Sequence, residues 1–181
     1  MKSIFSLTRR RLIATLLLTV VLESSCGGST AIRTFRLALS ASGPLVNSLV
    51  NAGVIPQAKA TAIITDFNDA AQCGLVLQEM FSAIPKDAPP SEVKSRKFQA
   101  SLSALQCFRV IVNRQNFAAH PRIQQAANIA EGILASLVVF YSDGQTAAAT
   151  RSSATVIARD EKELERKLKA EADRLKAAME P

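Results

Sequence analysis

The sequence has one histidine and no tryptophan in 181 residues, and these two scarcities already narrow its chemistry. A lone histidine with no cluster of cysteines or carboxylates around it cannot assemble a zinc site. His120 stands directly before Pro121, where it reads as a helix boundary. Cysteine is also scarce: Cys26, Cys73 and Cys107 include no Cys-x-x-Cys-His for a covalent haem. A Cys–His nucleophile pair would need Cys73 or Cys107 beside His120, but both cysteines lie in apolar helical stripes, which do not make an exposed thiolate. Glycine appears seven times. Neither "CGG" (Cys26 to Gly28) nor "SGP" (Ser42 to Pro44) follows a strand or carries the lysine of a phosphate loop.

Strand alternation is nearly absent. The best strand candidate, "LVVFY" (Leu137 to Tyr141), lies in phase with a helical stripe. The apolar run around it, "ILASLVVFY", is too short to cross a bilayer. The net charge of +7 is spread thinly and is not interleaved with aromatic or groove-reading elements, so no nucleic-acid partner is expected. Asp66 and Asp69 sit three apart in "TDFND". Two carboxylates can hold a cation or act as an acid–base pair, but no third ligand is near in sequence. A solvated helix face is the expectation there. Glu131 and Asn128 read as the polar edge of an otherwise apolar helix. No catalytic, cofactor-binding or metal-binding residues are therefore expected, and the chain is not expected to be an enzyme.

What is present begins with the leader. Residues 1–26 carry a basic end, "MKSIFSLTRRR", an apolar stretch from Leu12 to Leu22, and the small-residue run "ESSCGG". This is the layout of an export signal. The apolar stretch would span roughly 16 Å as a helix, about half a bilayer core. "TRRRLI" is similar to a twin-arginine export address. "LESSCGG" resembles a bacterial lipoprotein cleavage site, which implies an acylated Cys26; Leu22 stands four before the cysteine, where that pattern has three. The expected location is the bacterial cell envelope, membrane-associated through Cys26. Ordinary cleavage to a secreted or periplasmic soluble protein and an uncleaved anchor are the alternatives.

Behind the leader, residues 27–141 read as an all-α, antiparallel helical bundle of three longer helices plus one or two short ones. With eight phenylalanines and one tyrosine, the core must come mainly from Leu, Ile, Val, Ala and Phe. Ala31 to Ser40 makes a short helix, and Pro44 begins another that Gly53 caps. Pro56 opens a long helix. Its apolar positions Ile63, Phe67, Ala70, Gly74, Leu77, Phe81 and Ile84 recur at alternating spacings of four and three. Gly74 in that seam suits a close neighbour. After the "PKDAPP" break, a third helix is expected from Ser91 to Ala119. Pro121 then starts a fourth that runs to about Gly144.

Cys73 and Cys107 fall on consecutive helices of one hairpin. With the turn centred near residue 88 they are offset by roughly 6 Å, at the limit of a disulfide. They are a disulfide candidate in an oxidising compartment, or else two small buried residues.

Residues 142–154 are small and polar and read as a flexible linker. Residues 155–181 read as a separate charged helical tail in which acids and bases balance. Leu164, Leu168 and Leu175 give it a thin stripe, fit for a solvated helix or for a short coiled coil with itself or a protein partner. The expected role is an exported, envelope-anchored structural or interaction module. The alternative is a carrier that binds an apolar ligand within the bundle, with Phe67, Phe81, Phe98 and Phe108 lining its pocket.

Overall fold

The structure, a computed structural model, describes residues 30–113, 116–142, 158 and 160–180. Every regular element among them is helical: α1 (Thr30–Ser40), α2 (Gly43–Asn51), α3 (Gln57–Ser82), α4 (Pro90–Val112), a 3-10 turn (Phe117–Ala119), α5 (Pro121–Tyr141) and α6 (Glu161–Met179). The leader 1–26, with Cys26, lies outside the described residues, as does most of the 142–154 segment.

Prolines set the starts. Pro44 sits in the first turn of α2, Pro56 is the N-cap of α3, and Pro90 and Pro121 open α4 and α5. At the first helical position the missing N–H costs nothing and the fixed φ is already helical. Gly53, with φ of 71°, follows the end of α2 in the left-handed conformation that lets the chain reverse. His120 N-caps α5: its Nδ1 accepts the Arg122 backbone N–H at 3.2 Å.

The five longer elements form a closed ring. α1 packs on α3, α3 on α4, α4 on α5, α5 on α6, and α6 returns to α1, while α2 lies against α3. An odd ring cannot alternate direction throughout, and one pair must run parallel. That pair is α1 and α6. The Thr30 N–H, at the start of α1, donates to Glu165 near the start of α6, and Ala38 shares a crevice with Met179 at the other end. The seam of α3 is buried from Ile63 through Phe67, Ala70, Gly74 and Leu77 to Phe81. Gly74 has a specific reason. A Cβ there would lie 2.9 Å from a ring carbon of Phe35, so its absence is what lets α1 settle onto α3.

Four sequence expectations need correction. The charged tail is not separate. Leu164, Leu168, Ala172, Leu175 and Met179 are all buried, and α6 closes the ring between α5 and α1. A thin stripe suffices because alanine at position 172 lets the neighbouring helices approach, and Met179 extends the contact by a turn. The helix starts at Glu161 rather than near residue 155. Second, α4 ends at Val112, short of Ala119. Its last turn carries Val110, Ile111 and Val112, β-branched residues with weak helix propensity, and Asn113 caps it. α3 likewise stops at Ser82, leaving Ile84 beyond it and half-buried.

Third, Asp66 does not lie on a solvated face. It is 4% exposed, and its Oδ2 accepts the Asn116 side-chain N–H at 2.8 Å. The segment after α4 thus supplies a hydrogen-bond donor to this buried carboxylate. Fourth, Phe67 and Phe108 line no pocket. Both are fully buried, Phe67 edge-on to Phe117 at 4.9 Å and Phe108 tilted against Phe35 at 6.3 Å. These rings fill the core.

Helix α5 is long and apolar enough to cross a membrane by length and composition, but 61% of its apolar window is buried inside the bundle. Its apolar surface faces α4 and α6, as a central core helix requires.

Candidate functional site

Where α5 ends and α4 and α6 begin, the ring opens into a groove of about 680 Å³. Pro90 starts α4, and Val93, Lys94 and Lys97, one turn apart, face the groove. α5 contributes Val139, Phe140 and Tyr141, its last three residues. Ser142 finishes that helix, its hydroxyl donating to the Val139 carbonyl at 2.9 Å. α6 brings Glu161. Asp160 caps this helix by accepting the Glu163 N–H at 2.8 Å, and so places Glu161 in the first helical turn, where the helix dipole favours a carboxylate.

Two donors, from α4 and α5, converge on one carboxylate oxygen of α6. The Tyr141 hydroxyl donates to Glu161 Oε1 at 2.9 Å, and the Lys97 ammonium donates to the same oxygen. Lys97 also lies 5.4 Å from the Tyr141 ring centre and 5.8 Å from that of Phe81, within reach of a cation–π attraction. Tyr141 is edge-on to both Phe81 and Phe140. Burial, and then the adjacent Glu161 carboxylate, push the Tyr141 phenol well above its ordinary value. For Glu161, burial alone would raise the carboxyl. The hydrogen bonds from Lys97 and Tyr141 and the charge of Lys97 outweigh it and hold the group below the usual glutamate range. Tyr141 therefore stays a neutral donor and Glu161 a charged acceptor throughout the neutral range. The arrangement suits recognition by fixed charges rather than proton transfer.

The residues singled out from sequence lie elsewhere. Cys73 and Cys107 are bonded, with their Cα atoms 6.0 Å apart, and staple α3 to α4. Cys73 is 1% exposed, whereas Cys107 is exposed at the surface. Glu131 accepts from Arg109 at 2.7 Å and links α5 to α4, and Asn128 is exposed. Asp69 is half-buried on α3, and His120 is a cap at the far end of α5 from the groove. Among the described residues, no three His, Cys, Asp or Glu side chains gather as a metal site would need.

Lys97, Tyr141 and Glu161 were not legible as a group. Lys97 and Glu161 lie 64 positions apart, and each looks in sequence like an ordinary surface charge. The one available signal was Tyr141, the only tyrosine, at the end of an apolar stripe. The chain matches no protein-family model, and comparison with curated proteins and with solved structures finds no match.

Proposed function

We propose that this chain is exported and held at the bacterial cell envelope through Cys26, where its disulfide-stapled bundle works as a structural or interaction module. The observation that supports this reading is the Cys73–Cys107 bond. A disulfide with one exposed partner persists in an oxidising compartment and is rare in a reducing one. The basic, apolar and small-residue layout of residues 1–26 points the same way. The apolar stripe of α6 is used inside the chain, so a protein partner would meet the outer faces of the ring.

The test is intact mass and thiol count on protein from its native membrane fraction. The expected result is a chain beginning at Cys26, heavier by its acyl groups, with no free thiol at positions 73 and 107. Cys26→Ser is expected to release it from membranes. Full-length chain in the cytoplasm with free thiols at all three cysteines would overturn the proposal.

The groove favours a second reading, a carrier of small ligands. Its volume falls within the range of about 300–1,000 Å³ that holds small molecules. The site of carriage is then the groove at the α4–α5–α6 junction, not the phenylalanine core.

A further inference from the structure

We infer that the groove between α4, α5 and α6 seats one of the acyl chains attached to Cys26, so that the protein shelters part of its own lipid and stands with this end toward the membrane. This rests on the reading of Cys26 as the acylated anchor and gives the groove its occupant.

The path of the polypeptide brings the anchor to the groove. α1 and α6 start at the same end of the ring, where α4 also starts and α5 finishes. The N–H of Thr30, the first residue of α1, donates to Glu165 at 3.2 Å. Glu165 lies one turn beyond Glu161, which lines the groove, a step of about 6 Å along the helix. The Glu165 carboxylate also acts on the Tyr141 phenol at the same corner. Cys26 precedes Thr30 by four residues, which reach about 13 Å when extended. Had the leader joined the opposite end of the ring, the 19 residues of α6 would have set it about 28 Å from the groove, out of reach.

The lining suits an uncharged alkyl chain. Pro90 and Val93 of α4 and Val139 and Phe140 of α5 supply an apolar wall. Burying an acyl chain there removes apolar surface of both partners from water. The charged groups are engaged within the protein. Lys97 and Tyr141 donate to Glu161, Glu165 accepts the Thr30 N–H, and Lys94 has a partner of its own. The sign of a headgroup therefore does not select the occupant. An acyl chain on Cys26 brings no charged end into the groove, because its polar end is the linkage to the cysteine. A short tether also holds it at an effective concentration on the order of millimolar, so apolar contact alone is enough to seat it.

The experiment feeds cells that make the full chain a fatty acid bearing a diazirine near its end. Intact membranes are irradiated, and the crosslinked peptides are mapped by mass spectrometry. The expected result is acylated Cys26 joined through its acyl chain to the groove wall, Val93 and Phe140 among the sites. Val93→Phe, which fills the groove, is expected to lose these crosslinks while keeping the acylated mass and the disulfide. The map of the native protein decides the question by itself should this variant fail to fold. Acylated native protein crosslinked only to lipid, or to the far end near His120 or Met179, would overturn the groove assignment and leave the Cys26 anchor standing. Cys26 without an acyl group would overturn the anchor reading and this inference with it. Undiminished crosslinking to the same wall in folded Val93→Phe would overturn the location.

Discussion

Leu168→Ala tests whether the charged C-terminal helix is part of the folded body. Leu168 is 1% exposed at the middle of α6, between Leu164 one turn before and Ala172 one turn after, on the face that closes the ring against α1 and α5. The substitution removes about three carbons from the core, roughly 2.4 kcal/mol at about 0.8 kcal/mol per methylene. A cavity term adds to this, because helices pinned on both sides collapse only in part; the total is about 3–4 kcal/mol. A solvated helix would give a very different number. Alanine propagates helix slightly better than leucine, and an exposed change there stays within about 0.5 kcal/mol. The Cys73–Cys107 staple cannot mask the loss, since it joins α3 to α4 and does not tie down α6. The assay is urea unfolding followed by far-ultraviolet circular dichroism, with exposed Lys169→Ala as control. With a slope of about 1–3 kcal/mol/M, the midpoint should fall by about 1–4 M at unchanged slope. A midpoint no lower than that of the control would refute the packed-tail reasoning.

Gly74→Ala should destabilise by about 1 kcal/mol: the gain in helix propensity is outweighed by overpacking, because the Phe35 ring 2.9 Å from the new Cβ is itself fully buried. Thermal unfolding checks this, and Phe35→Leu combined with it should recover part of the loss. Replacing both Cys73 and Cys107 by alanine should cost about 3–4 kcal/mol by the loop-entropy account, for a bond spanning 34 positions. In the native protein a small thiol should form its mixed disulfide at exposed Cys107 before buried Cys73, which peptide mapping after trapping would show. The groove also sets the response to pH. The Glu161 carboxyl is depressed in the folded state, so its contribution is present above the ordinary glutamate value of about 4.3 and lost as pH falls below it. The Tyr141 phenol is raised, so its contribution is present below about pH 10 and lost as pH rises above that. Stability measured across pH should show both limbs. Glu161→Gln should flatten the acid one, and an unchanged acid limb would rule out this assignment.

Local pattern was enough for the helices themselves. The four-three spacing from Ile63 to Phe81 marks one face of α3, and all six of those positions are buried. Prolines at 44, 56, 90 and 121 and the glycine at 53 mark breaks because their effects act within a residue or two of backbone. Such features depend on neighbours in the chain and can be read from it. Three others depend on what arrives from far away, and only the tertiary structure decided them. The stripe of α6 looks the same whether water, a second chain or α1 and α5 cover it, since periodicity records that a face is apolar and not what meets it. Asp66 is buried, and Asn116, fifty positions on, donates a hydrogen bond to it. Lys97, Tyr141 and Glu161 form a site because the ring brings three helix ends to one corner, where a shared carboxylate oxygen and partial burial turn ordinary side chains into a fixed electrostatic unit.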